Sequence, residues 1–205
     1  MPSFHTLKRP ATGEIEEKRS RFLCRITPVT DEDAARAVIE NARKEAWDAR
    51  HHCSAFILGP DGRIERSSDD GEPAGTAGAP MLDVLRGAEI TNVVAVVTRW
   101  FGGTLLGAGG LVRAYSDAVR AALEDASIIT CDLVDEWAVD VSHADAGKVE
   151  SALRSAGFEV FDHTYTATVT LHVATTDRDR LDSLIASITQ GGSAPRRTGE
   201  RWVTR

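Results

Sequence analysis

Residues 93–97 read Val-Val-Ala-Val-Val. The run is short, β-branched and bounded by turn residues, which predicts a buried strand. Upstream, Phe22, Cys24 and Ile26 alternate within residues 14–27. They predict a strand whose other residues, with Lys18, Arg19, Arg21 and Arg25 nearby, form a basic face. Residues 1–13 are polar and predict a loose lead-in or an edge strand. Between Asp31 and Trp47 the period changes: Ala34, Val38, Ala42 and Ala46 fall about four apart, the stripe of a helix capped by Thr30 or Asp31. His52–Leu58 predicts a strand, Pro60-Asp61-Gly62 its turn, and 64–67 the returning strand. Helical patterns follow at 80–88 and 111–126, the second leading into a short strand at Ile128-Ile129.

The pattern restarts after residues 130–133. Strands are predicted at 134–142, 158–163, 165–173 and 196–205, with helices at 144–156 and 177–190. That order is β-α-β-β-α-β, a ferredoxin-like unit. The expected class is α+β, with domains at 1–131 and 132–205. Arg196, Arg197, Arg201 and Arg205 make the end locally basic.

Two Gly-rich loops flank the central strand, and each leads into a helix. They run from Asp69 to Gly78 and from Phe101 to Gly110. Nine of the seventeen glycines lie between Gly71 and Gly110, which makes this stretch the first place to look for a site. A Gly-rich loop opening a helix offers free N–H groups beside a positive dipole end, which suits an anion. The same glycines also serve tight turns and close strand–helix packing, and both readings stand.

Around the loops sit the groups that would give an anion site its chemistry. Asp69, Asp70 and Glu72 lie in the first loop with Gly75 and Thr76, and Thr76 is a candidate helix cap. The three carboxylates could hold a hard cation or serve a turn. Arg99, Trp100 and Phe101 leave the central strand as a basic–aromatic trio that can pair phosphate and stack bases. Gly102, Gly103, Gly107, Gly109 and Gly110 form the second loop. Arg113 falls in the first turn of the helix as predicted, where a cation opposes the dipole. Asp69 or Glu72 is its expected partner if it has a structural role. His51 and His52 begin a strand and point to opposite faces, so they would not chelate one metal together.

Charge and cysteines narrow the classes. The formal net charge is −7, so any polyanion site must be a local cluster. Cys24, Cys53 and Cys131 are odd in number and widely spaced, which gives neither a disulfide framework nor a zinc pattern. They are expected to be buried thiols. No apolar run approaches a membrane span, and the expected location is cytoplasmic.

DDGEPAGTAGAPML followed by TRWFGGTLLGAGGLVRAY, with AWDARHHCSAF upstream, resembles the signature of the IMPACT family, whose bacterial members are the YigZ-type proteins. The resemblance implies a first domain with the ribosomal-protein-S5 second-domain-like fold and a smaller ferredoxin-like domain. Eukaryotic relatives regulate translation through a stress-kinase pathway. Two positions depart from the family pattern: Ala79, often basic, and Trp100, often Tyr.

The expected function is a non-catalytic regulator of translation that binds RNA, the ribosome or a translation-associated protein through the Gly-rich surface. No cofactor and no bound metal are expected. Two alternatives remain: a metal-assisted phosphoryl-transfer or phosphodiester enzyme, with His52 or Asp70 as base, and a protein-interaction adaptor.

Overall fold

In the computed structural model, which describes residues 2–204, the apolar run lies within the strand Val93–Trp100. Chain order gives the elements of the first unit as β1 (Ser3–Leu7), β2 (Ala11–Glu17), β3 (Ser20–Pro28), α1 (Glu32–Glu45), β4 (His51–Leu58), β5 (Ile64–Ser68), α2 (Gly78–Gly87), β6 (Val93–Trp100) and α3 (Ala108–Glu124). Five strands form an antiparallel sheet in the order β2-β3-β6-β4-β5. Val93, Ala95 and Val97 pack in the core shared with α2 and α3, and Val94 and Val96 in the core shared with α1. A strand covered on both faces reads as a continuous apolar run rather than an alternating one. Asp31 caps α1, its Oδ1 accepting from the Ala34 N–H at 2.8 Å.

Two differences from the sequence expectations matter for the site. The single strand expected at 14–27 is a hairpin. Its two-residue turn is Lys18-Arg19, both at positive φ (48° and 66°). This is the turn geometry usually signalled by Asn-Gly, and a Lys-Arg pair gives no such signal. The helix expected at 111–126 begins at Ala108. Gly109 and Gly110 are therefore helical, although their propensity argues for loop. Arg113 consequently sits in the second turn, so the dipole argument for its partner does not apply.

The chain divides into two compact units, Ser3–Thr130 and 131–204 with Pro2. The division falls inside one continuous strand, β7 (Ile128–Val141), where a break in pattern was expected at 130–133. The second unit continues with α4 (Ala146–Ser155), β8 (Glu159–Tyr165), β9 (Val169–Thr175), α5 (Arg178–Thr189) and β10 (Arg196–Thr204). Its strands pair antiparallel in the order β10-β7-β9-β8. Trp137, Val139 and Leu171 from the sheet pack with Val149, Leu153, Leu181 and Ile185 from α4 and α5. This is the expected βαββαβ arrangement, and the chain is α+β. Of the basic C-terminal cluster, Arg197 pairs with Asp135 at 2.7 Å and Arg201 lies 3.8 Å from the Phe161 ring centre. Arg205 lies outside the described residues.

All three cysteines are buried free thiols. Among the described residues, no helix is long and apolar enough to cross a membrane.

Candidate functional site

Strand alternation sorts the predicted site residues between the two faces of the first sheet. His51 pairs in register with Arg99, and His52 with Thr98. His51 and Arg99 face the α2–α3 side with Cys53 and Val97. His52 and Trp100 face the α1 side. There the His52 Nε2 lies 3.1 Å from the Ala46 carbonyl. The Trp100 Nε1–H donates to Asp48 at 3.0 Å, and the Arg21 guanidinium stacks on the indole at 4.7 Å. The basic–aromatic trio is thus split: Arg99 and Trp100 do not share a surface.

The first Gly-rich loop supplies its own anion. Asp69 turns its carboxylate back over the loop and accepts the N–H groups of Gly75 (2.8 Å), Ala77 (3.0 Å) and Gly78 (2.8 Å). It fills the N-terminus of α2, where an outside anion would otherwise bind. Burial pushes its pKa up, but the three N–H donors prevail and hold it below the usual carboxylate range. Asp70 is likewise committed. It pairs with Arg43 at 2.6 Å and accepts the His52 N–H at 2.6 Å. These bonds outweigh its burial and lower its pKa. Thr76 does not cap α2; its hydroxyl donates to the Pro73 carbonyl at 2.7 Å. Among the described residues no group of three or more His, Cys, Asp or Glu is placed to hold a metal ion.

Glu72, the third carboxylate, points inward. Arg99 Nη1 donates to its Oε1 at 2.6 Å, and the Tyr115 hydroxyl donates to the same oxygen at 2.8 Å. His51 Nε2 is 3.9 Å away. Below them Cys53 Sγ lies 3.3 Å from the Tyr115 oxygen. Burial is the main cause that pushes the Cys53 thiol up to about 12 and the Tyr115 hydroxyl up as well. Neither is a nucleophile at neutral pH. Arg99 also reaches Ser20 Oγ at 3.4 Å and lies 5.3 Å from the Phe22 ring centre and 5.7 Å from that of Phe101. The carboxylate expected to partner Arg113 is therefore Arg99's. Arg113 itself is exposed on α3, and its neighbour one turn on, Asp117, pairs with Arg120 at 2.7 Å.

The second loop is built differently. Gly107 is the N-cap of α3 at φ 72°, and no side chain caps the helix. The N–H groups of Ala108, Gly109 and Gly110 are left at the positive end. Beside Gly107 and Ala108 opens a cavity of about 380 Å³. Its walls are Pro73, Phe101, Leu105, Leu106 and Leu111; its polar groups are Arg50, His51, Glu72 and Arg99. Phe101 is 41% exposed and Leu105 82%, so the rim is apolar as well as cationic. The Arg50 guanidinium sits 5.9 Å from the Phe101 ring centre.

Gly102 explains how a basic turn packs against the second loop. A Cβ there would lie 2.1 Å from the Arg19 backbone carbonyl, so only glycine lets the Lys18-Arg19 turn pack against the loop. Arg19 Nη2 then donates to Thr104 Oγ1 at 3.4 Å, and the Gly102 N–H to Ser20 Oγ at 3.1 Å. Gly103, at φ 85°, makes the next bend.

Sequence reasoning passed over Arg50, Ser20, Arg43 and the inward role of Tyr115. Arg50 directly precedes the histidine pair and gave the one available signal: a cation next to a strand start.

The family model described as "Impact N-terminal domain" matches residues 18–123, and one described as a domain of unknown function (DUF1949) matches 139–191. The IMPACT family member YigZ of Escherichia coli is 40% identical over 167 residues, covering 80% of this chain and 82% of YigZ. A crystal structure of a hypothetical protein superposes with a TM-score of 0.70 at 35% identity, covering 95% of this chain and 97% of that one. Yih1, described as a two-domain translational regulator, is 30% identical over 60% of this chain and 47% of its own, with a TM-score of 0.38. The chain belongs to the IMPACT family.

Proposed function

We propose that this protein is a non-catalytic regulator of translation that binds RNA at the cavity beneath the second Gly-rich loop. Family membership, with the translational role it implies, supports the process. The observation that carries the ligand class is the rim: a half-exposed Phe101 ring beside Arg50, next to the uncapped start of α3. An aromatic face takes a base and a cation or helix N-terminus takes a phosphate, the combination used for single-stranded nucleic acid. Lys18 and Arg19 add local positive charge to a chain that is acidic overall. Two consecutive non-glycine residues at positive φ cost on the order of 1 kcal/mol or more each, and a cationic turn packed on the second loop gives that cost a purpose.

The N–H groups at the start of α2 have no part in binding, because Asp69 already occupies them; of the first loop, only Glu72 and Pro73 line the cavity. Arg99 contributes through Glu72, by holding the floor of the cavity in place.

Co-sedimentation with ribosomes at low and high salt tests the reading. The parent chain is expected to pellet with ribosomes at low salt and to be released as salt rises, since phosphate pairing displaces counterions. Arg50→Ala/Phe101→Ala is expected to stay in the supernatant while melting like the parent. Ribosome-independent sedimentation of the parent, or binding untouched by the double substitution, overturns the reading.

A further inference from the structure

At 83% exposed, Trp47 is the most open large apolar side chain among the described residues. The other three tryptophans are engaged: Trp100 on Asp48, Trp137 on the Thr175 carbonyl at 3.4 Å, and Trp202 with a partner of its own. Among the described residues Trp47 has no hydrogen bond, no ring contact and no stacked cation. It stands on a turn, in which the Ala49 N–H donates to the Ala46 carbonyl at 3.0 Å. That turn is fastened to the candidate site. Asp48 accepts from Trp100 Nε1 at 3.0 Å, and the Arg50 guanidinium lies 5.9 Å from the Phe101 ring centre. Trp47 is three residues from Arg50, a span of at most roughly 11 Å. The sheet register puts all of this at one end of the first unit, since His51 pairs with Arg99 and Arg21 with Trp100.

Arg50, like Trp47, is unclaimed. Arg21 pairs with Glu14 and Arg43 with Asp70, but Arg50 has no carboxylate partner among the described residues. A free guanidinium and a free indole in one short loop match a phosphate and an adjoining base. A lipid surface fits less well. It would have to take Glu45 and Asp48 into an anionic headgroup layer along with the indole, whereas a single strand need touch only the ring.

We propose that Trp47 is a second stacking platform of the RNA site. One base lies along Phe101, Arg50 pairs the phosphate that follows, and the strand leaves the cavity to lay another base on Trp47. Such stacking is blind to base identity but requires a base that is not already stacked in a helix, so the ligand class is unpaired RNA rather than duplex. The inference rests on the RNA-binding reading and adds to it a residue outside the cavity.

The test is fluorescence anisotropy of the full chain with a labelled uridylate octamer and with a labelled blunt RNA duplex, over a series of salt concentrations. Trp47→Ala is expected to bind the octamer about tenfold more weakly, a usual loss for one stacked base. The slope of log affinity against log salt is expected to stay the same, because an indole displaces no counterions. Arg50→Ala, in contrast, is expected to flatten that slope by about 0.7. Trp47→Phe keeps a ring and is expected to recover most of the affinity. Octamer binding by Trp47→Ala equal to the parent's overturns the platform and leaves the RNA reading in place. A loss that appears equally with the duplex, or that Trp47→Phe does not recover, overturns stacking as the role of Trp47. Anionic vesicles that bind the parent and not Trp47→Ala, with octamer binding untouched, assign the indole to a lipid surface and overturn the proposal. No octamer binding by the parent at any salt overturns the RNA reading as well.

Discussion

Arg99 and Glu72 meet at 2.6 Å across the end of the central strand, their side chains 7% and 4% exposed. The pair converts the most conspicuous cation of the Gly-rich stretch into a structural element. Removing one partner of a buried pair strands the other charge, which typically costs about 3–5 kcal/mol. Arg99→Ala and Glu72→Ala are each expected to lower stability by about that amount, read from urea unfolding midpoints. The double variant is expected to lose less than the sum of the two. Strict additivity would show that the two groups do not depend on each other.

The capping role of Asp69 gives a second expectation. Its carboxylate serves three backbone N–H groups at the start of α2. Asp69→Ala should cost about 1–2 kcal/mol, the upper range for a lost helix cap, and should leave RNA binding unchanged once the protein is folded. Weakened binding at matched folded fraction would place the ligand at the start of α2.

Glycine substitutions in the second loop should separate by position. Gly102→Ala puts a methyl group onto the Arg19 backbone and is expected to unfold the loop or the domain. Gly109 has no atom within 4 Å of an added Cβ and no positive φ. Gly109→Ala is expected to raise stability by about 0.4–1 kcal/mol through the unfolded state. Thermal melts of the two variants check the contrast; similar melting temperatures would show that the Arg19 contact does not constrain the loop.

Stability should fall in acid in two stages. Burial lowers the His52 pKa below 6.5, with Arg43 adding to it, against the opposing effects of the Ala46 carbonyl and Asp70. Below 6.5 the unfolded chain then binds more protons than the folded one, so stability drops as pH falls from that value. Asp69 and Asp70 are depressed from 3.8. Their stabilisation is present above 3.8 and is lost as pH falls through their lowered folded values. The melting temperature should decrease between about pH 7.5 and about pH 5.5, and His52→Gln should flatten that segment alone. An unaltered profile in the variant would assign the drop to another group.

Much of the architecture was legible because period and burial agree along the chain. The apolar run 93–97, the capped helix after Asp31 and the restarted pattern after residue 133 each carry their structure in local spacing. The β2–β3 hairpin was hidden by its Lys18-Arg19 turn, which is held by packing on Gly102 rather than by its own preference. The α3 start was misplaced for a related reason: Gly109 and Gly110 are poor helix formers that packing overrides. At the site, the residue types were legible but their pairing was not. Three carboxylates and two arginines look alike as a list. Asp69 faces backbone, Asp70 faces Arg43 and Glu72 faces Arg99 because of long-range strand register, which composition does not encode.

Hydrogen exchange at single-residue resolution, with and without an RNA oligonucleotide, distinguishes a ligand held at the start of α3 from one held at the start of α2. The N–H groups of Ala108, Gly109 and Gly110 are uncapped, while those of Gly75, Ala77 and Gly78 already bond Asp69. RNA is expected to slow exchange at residues 108–110 and to leave 75–78 as they were. Slowing confined to 75–78, or no change in either loop under saturating RNA, would contradict that expectation.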